Sequence, residues 1–171
     1  MANVILVDES DNEIGSEEKL AAHKKGLLHR AFSILIYNSA GEMLIQKRAK
    51  SKYHSGGLWT NACCSHPEPG EKTLDATHRR LQEELGFDSE LKEVFSFQYK
   101  TNFGDLLENE IDHVHIGKSD ETPKENPEEA EEYKYIGMEE LVSDIEKNPQ
   151  DYTSWFKIIV DKLVLEKLVN R

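Results

Sequence analysis

The chain has 171 residues, with 21 Lys+Arg against 33 Asp+Glu and a formal net charge of −12. Phosphate backbones are held by an excess of cations, so this balance argues against broad nucleic-acid binding while leaving room for a local basic pocket. A mean hydropathy of −0.66 and the lack of any apolar run near ~18 residues exclude a helical membrane protein, and 37% hydrophobic content suffices for one core, so a single domain over residues 1–171 is expected.

The apolar run Asn3–Val7 reads as a first strand and not as a signal segment, because acidic residues follow it directly. After Gly15, the stretch SEEKLAAH offers Ser16 as an N-cap with Glu17 and Glu18 in the first turn of a short helix. From His29 to Asn38, Phe32, Ile34 and Ile36 share one parity, and a turn at SAGE leads into Met43–Lys47, which together predict a hairpin with a buried face. Residues 73–85 place Leu74, Thr77, Leu81 and Leu85 on one helical face, with Gly86 as the stop. Strands are expected over 90–99, 106–116 and 134–136. The segment 120–132, with seven carboxylates, one Lys and two prolines, reads as a solvated loop, an acidic tail with a function being the alternative. Helices over 138–146 and 153–169 follow, the last presenting Trp155, Ile159 and Leu163 at helical spacing.

Several of these positions could carry chemistry. Cys63 and Cys64 are the only cysteines, and their adjacency makes a mutual disulfide strained, which indicates a reduced, cytoplasmic setting. Cys64 stands two residues before His66, so in an extended segment a thiol and an imidazole face one side, fit for a metal site or an acid/base pair. Two adjacent core cysteines are the plainer alternative. Glu108 and Glu110 share one strand face, where acids are disfavoured unless something rewards them. His23 and His29 flank the junction of the first helix and the next strand. Together with His66 and the two glutamates they would make a three-His, two-carboxylate set suited to a divalent ion of the zinc or manganese kind. Of the other histidines, His113 and His115 fall on the opposite parity, His78 lies among helix charges, and His54 is a weaker fourth candidate. The run Lys47, Arg48, Lys50, Lys52 is either a solvated loop or a diphosphate pocket.

The segments AAHKKGLLHRAFS (21–33), KRAKSKYHSGGLWTNACCSHP (47–67), RRLQEELGF (79–87), LLENE (106–110) and SWFK (154–157) resemble, in order, the type I isopentenyl-diphosphate isomerase family, a branch of the Nudix fold. Glu71, Arg79, Glu83 and Glu84 fit the general Nudix pattern, but its opening glycine falls on Ser65 and the glutamate expected after Arg79 is Arg80. The resemblance implies an α/β (α+β) fold, a Nudix-like mixed β-sheet sandwich flanked by helices. It implies interconversion of isopentenyl and dimethylallyl diphosphate in isoprenoid biosynthesis. His23, His29, His66, Glu108 and Glu110 match the family's ligands for one divalent ion, Mn²⁺, Zn²⁺ or Mg²⁺, and Cys64 with Glu110 its acid/base pair. Lys19, Arg48, Lys52 and Arg80 match its diphosphate contacts, Glu84 the holder of a further Mg²⁺ on the substrate, and Tyr99 and Trp155 its aromatic positions beside the reacting carbons. The His23–His29 and Tyr99–Glu108 spacings are one residue shorter than the family pattern. The implied partner is a small isoprenoid diphosphate, with no nucleic acid and no membrane. Oligomeric state stays open, a monomer being sufficient. A Nudix hydrolase using Glu83, Glu84 and Mg²⁺ on a nucleoside-diphosphate derivative is the competing expectation, and a metal-binding module without turnover is the third.

Overall fold

The computed structural model describes residues 2–124 and 126–169, without the side chains of Leu168 and Val169, and Glu125 of the expected 120–132 loop lies outside the described residues. In chain order the elements are β1 (Asn3–Val7), β2 (Glu13–Glu18), α1 (Lys19–Lys25), β3 (His29–Tyr37), β4 (Met43–Arg48), β5 (Trp59–Asn61), β6 (Cys63–Ser65), α2 (Thr73–Leu85), β7 (Lys92–Asn102), β8 (Leu107–Lys118), β9 (Ala130–Ile136), α3 (Met138–Lys147) and α4 (Ser154–Val169). Strands and helices interleave, as the α/β expectation requires. They group into two compact units, the first from residues up to Leu35 and Cys63–Gly117, the second from Ile36–Ala62 and the residues from Lys118 on.

In the first unit β1 and β2 form an antiparallel hairpin with Ile5 opposite Ser16. Ser16 is therefore a strand residue, which corrects the N-cap expected there. Its backbone groups are engaged by β1, and the cap falls two residues later on Glu18, whose carboxylate accepts from the amides of Leu20 and Ala21 at 3.0 and 2.9 Å. Glutamate is an uncommon cap, so the sequence signal pointed to the serine. Gly26 ends α1 in the left-handed region at φ 67°, its amide facing the carbonyls of Ala22 and His23. β3 pairs with β6, Ser33 lying opposite Cys64, and β8 pairs with both β3 and β7.

Helix α2 covers the expected residues, but Leu74 is 46% exposed. The face it buries carries Ala76, Thr77, Leu81, Glu84 and Leu85 instead. Leu74 belongs to the first turn, where the helix has only begun to bury its inner face. The short strands β5 and β6 fall within the segment read simply as extended, and β7 and β8 run a few residues past their expected ends. Ile5, Val7 and Ile111 form a buried cluster with Leu28 against it.

In the second unit β4 pairs with β5 and, over six positions from Met43↔Ile136 to Arg48↔Ala130, with β9. The strand expected over 134–136 thus begins at Ala130, inside the segment read as loop, and the acids Glu131 and Glu132 that follow are exposed, in a strand held by pairing with β4, with a register shift next to Arg48↔Ala130. β3 and β4 pair at Tyr37↔Met43. The buried face expected of the hairpin is present in Phe32, Ile34 and Ile36, and the other parity of β3, Ala31, Ser33 and Leu35, is buried as well. Trp155, Ile159 and Leu163 are buried along α4. No described helix is long and apolar enough to cross a membrane.

Candidate functional site

Within the first unit, four elements deliver side chains to one point. α1 brings His23, the first residue of β3 is His29, His66 follows β6, and β8 carries Glu110. The three imidazole Nε2 atoms lie 3.6, 3.1 and 3.0 Å from Glu110 Oε1, in the order His23, His29, His66. One ligand atom from each of the four lies within 4.8 Å of the others. His23, His29 and Glu110 are buried.

The hydrogen-bond chemistry fixes how this group is poised. His29 Nδ1 is 2.8 Å from the Leu27 carbonyl, which can only accept, so Nδ1 carries the proton and the neutral ring turns the Nε2 lone pair toward Glu110. A lone pair facing a carboxylate oxygen is repulsive unless a proton or a cation stands between them. Burial alone would pull the His29 pKa down, but the hydrogen bond and charge of Glu110 outweigh it and hold the value above the ordinary one. Burial pushes His66 down to about 4 against the same carboxylate. Glu110 is driven well below the usual range, since its hydrogen bonds to His23, His29 and His66 overcome the cost of burial. An ionised carboxylate among three imidazoles is the donor set of a divalent-metal site, and the residues present fit such an ion.

The other oxygen of Glu110 is tied elsewhere. Tyr99, opposite Glu110 in the β7–β8 register, places its hydroxyl 2.9 Å from Glu110 Oε2 and 2.5 Å from Glu108 Oε2. Burial and then the two carboxylates raise the Tyr99 pKa well above normal, so the phenol keeps its proton. Glu108 thus stands beside the four-residue group, joined to it through Tyr99. Asn109, on the other parity, donates to the Gly26 carbonyl at 3.2 Å and ties β8 to the end of α1.

β6 sorts the sulfurs and their neighbours by parity. Cys64 lies 3.8 Å from Ser33 Oγ, on the side to which His66 also turns. Cys63 and Ser65 turn to α2: Ser65 Oγ accepts from Arg80 Nε at 3.1 Å, and burial together with the charge of Glu84 pushes the Cys63 thiol well up. Arg80 is also ion-paired with Glu83 at 2.6 Å and with Glu84. The two departures from the Nudix pattern, Ser65 and Arg80, are therefore bonded to each other. A guanidinium stands where the hydrolase pattern has a carboxylate, and it neutralises the acids beside it. Arg79 meanwhile grips Glu71 through two hydrogen bonds of 2.8 and 2.9 Å. Lys19, at the start of α1, is close enough for its charge to lower the pKa of His66.

In the second unit the Arg48 guanidinium lies 5.3 Å over the Trp155 ring and donates to the His54 carbonyl at 3.4 Å, while the His54 ring stands edge-on to Trp155 at 6.0 Å. Lys52 is ion-paired with Glu129 at 2.6 Å. His113 bonds Asp11 and Glu93, and His78 bonds Asp88. Asp112 is absent from the sequence-derived candidates, although it continues the Glu108, Glu110 parity as a third acid on one strand face. It is buried, accepts from Ser33 at 2.7 Å, and has a pKa pushed up to about 8 by burial and by Glu110, with the Ser33 bond opposing.

Fold and site together define an α/β protein with a His/Glu centre able to hold a divalent metal. Residues 27–156 match the NUDIX domain family. The isopentenyl-diphosphate Delta-isomerase 2 of Aromatoleum aromaticum is 49% identical over 168 residues, which cover 98% of this chain and 89% of that relative. The isopentenyl-diphosphate Delta-isomerase of Serratia proteamaculans is 51% identical over 161 residues, covering 94% and 90%. Among solved structures, DR0079 from Deinococcus radiodurans superposes with a TM-score of 0.78 at 22% identity, over 94% of this chain and 98% of that one, a likeness of fold. The chain belongs to the NUDIX family and, within it, to the isopentenyl-diphosphate Delta-isomerases.

Proposed function

We propose that this chain interconverts isopentenyl diphosphate and dimethylallyl diphosphate by metal-assisted addition of a proton at one carbon and removal of a proton from another. The observation that carries the reading is the convergence of His23, His29 and His66 on one oxygen of Glu110, with its second oxygen left to Tyr99. His23, His29, His66 and Glu110 would hold the ion, with Glu108 as a fifth ligand, and Mn²⁺, Zn²⁺ and Mg²⁺ are the candidates. The ion, when bound, supplies positive charge that makes the Glu110 carboxyl a stronger acid.

An isolated alkene is a very weak base, so the reaction needs a strong local acid, a base at the other carbon and a site from which water is kept. Glu110 Oε2 is the atom at which the first proton is held, and the Tyr99 hydroxyl orients it. Cys64 exchanges the other proton. Burial of Glu110, His23, His29 and Tyr99 supports exclusion of water from a cationic intermediate. By their match to the family, Lys19, Arg48, Lys52 and Arg80 are the cations assigned to the diphosphate, Glu84 the residue that would hold a Mg²⁺ on it, and Trp155 a π face for developing positive charge. Support for these assignments comes from the positions' match to the family and from Arg80 and Glu84 being neighbours along α2. The reading carries with it a cytoplasmic location and one functional domain, supported by two cysteines that form no disulfide and by a family match that takes in residues of both units.

The test is incubation with isopentenyl diphosphate and divalent metal in deuterated water, followed by NMR. Dimethylallyl diphosphate carrying deuterium is expected. Release of phosphate without deuterium uptake into carbon, together with cleavage of ADP-ribose, would move the protein to the hydrolases.

A further inference from the structure

Ser33 is the midpoint of a line of side chains that runs over three strands. It lies opposite Cys64 in the β3–β6 register, and Asp112 comes from β8, which also pairs with β3. Ser33 is 1% exposed and Asp112 2%. A hydroxyl has one proton to donate and lone pairs to offer. At 2.7 Å from Asp112 Oδ2 and 3.8 Å from Cys64 Sγ, Ser33 spends its proton on the carboxyl group, and the lone pairs of Oγ are left facing the thiol. Asp112 Oδ1 is buried with no hydrogen-bond partner among the described residues. A carboxyl group enclosed in this way for the sake of one hydroxyl is a costly element of a core, where alanine or valine would pack at no such cost. The line is also one rung from the His/Glu centre, since Asp112 follows Glu110 by two residues and Cys64 precedes His66 by two.

We propose that Ser33 and Asp112 are positioning residues for Cys64: Asp112 fixes the direction of the Ser33 hydroxyl, and Ser33 offers the thiol an acceptor that holds its rotamer and the direction of its S–H bond. The proposal rests on the reading in which Cys64 exchanges a proton with the substrate. Ser33→Ala deletes the acceptor, and Asp112→Ala lets the hydroxyl rotate and turn its own proton toward sulfur. Misplacement of a reacting group by about 1 Å can cost on the order of a hundredfold, so each variant should lose roughly tenfold to a hundredfold in kcat.

The experiment measures kcat, KM, bound divalent metal and thermal midpoint for Ser33→Ala, Ser33→Thr, Asp112→Ala, Asp112→Asn, the Ser33→Ala/Asp112→Ala double variant and Cys64→Ala. Expected are a fall in kcat with KM and metal content kept in both alanine variants, no further loss in the double because both act through one sulfur, and recovery in Ser33→Thr and Asp112→Asn, which keep the hydroxyl and the carbonyl acceptor. Should Asp112→Ala fail to fold, loss in Ser33→Ala with retention in Ser33→Thr and Asp112→Asn supports the proposal in the same way. Wild-type kcat in Ser33→Ala beside an inactive Cys64→Ala overturns the positioning role alone. An active Cys64→Ala overturns the role of Cys64 and this proposal with it. Losses that add in the double variant, or that follow metal content, mark a merely structural contribution and also overturn it.

Discussion

Cys63 and Cys64 differ by one position in sequence and by the whole thickness of a strand in environment. Cys63 is fully buried against α2, where burial and the charge of Glu84 keep its thiol protonated, and Cys64 faces Ser33 on the other side. Cys64→Ala should therefore abolish turnover while retaining metal, and Cys63→Ala should cost stability first, about 1 kcal/mol or somewhat more for the sulfur-sized void, with turnover largely kept. Steady-state kinetics and thermal melts of the two variants decide it, and equal activity would defeat the assignment. This much was legible from parity alone, because i and i+2 in an extended segment face one way whatever the partner strand is. The convergence of the three histidines on Glu110 is legible in the sequence only as a set of residue types, since positions 29, 66 and 110 meet through the pairing of β3 with β6 and β8 and His23 comes from α1, a meeting that no local pattern encodes. Asp112 carries the same signal as Glu108 and Glu110, an acid on one parity of a strand, and what the sequence does not show is its partner, because Ser33 meets it only through the pairing of β3 with β8.

At the scale of the element, α1 is a seven-residue helix that holds the buried His23, and so short a helix draws its stability from its ends and its contacts. Its ends are Glu18, which the serine-centred reading passed over, and Gly26, which the sequence marks only as one glycine among ten. Gly26 has φ 67°, and a Cβ there would come within 3.3 Å of Leu107 Cδ1, a side chain at the start of β8, the strand that carries Glu108 and Glu110. Gly26→Ala should cost about 1–2 kcal/mol from the left-handed backbone, and the strain falls on the turn that orients His23. Gly26→Asn should lose less, because asparagine tolerates this region. Thermal melts and metal titration of both variants test the point: if Gly26→Ala binds metal as tightly as the parent, the C-cap of α1 has no part in placing His23. Long periodic elements such as α2 and α4 were readable because their burial repeats over several turns. β5, β6 and the start of β9 were not, since segments of three or four residues carry too few alternations to stand out from a loop.

Over the chain as a whole, the His/Glu centre joins segments that are far apart in sequence, from His23 to Glu110, and in the unfolded chain nothing holds these four together. A ligand that binds only the assembled group stabilises the folded state by mass action. At a free ion concentration about a hundredfold above its Kd the gain is ~2.7 kcal/mol. A chain of this length shifts its melting point by about 2–4 °C per kcal/mol, so Mn²⁺ or Zn²⁺ should raise Tm by roughly 5–11 °C and a chelator should reverse the rise. The variants then separate inner ligands from neighbours. His66→Ala removes one of the nitrogens closest to Glu110 Oε1 and should abolish most of the shift. Glu108→Gln alters a residue tied to the group through Tyr99 and should reduce the shift by less if that link is its main role, or by as much as His66→Ala if Glu108 joins the ion as a fifth ligand. Calorimetry of the parent and the two variants, each with metal and with chelator, reads this directly. A Tm indifferent to divalent ions in the parent, or an unchanged shift in His66→Ala, would place the metal elsewhere and remove the basis for Glu110 as the acid.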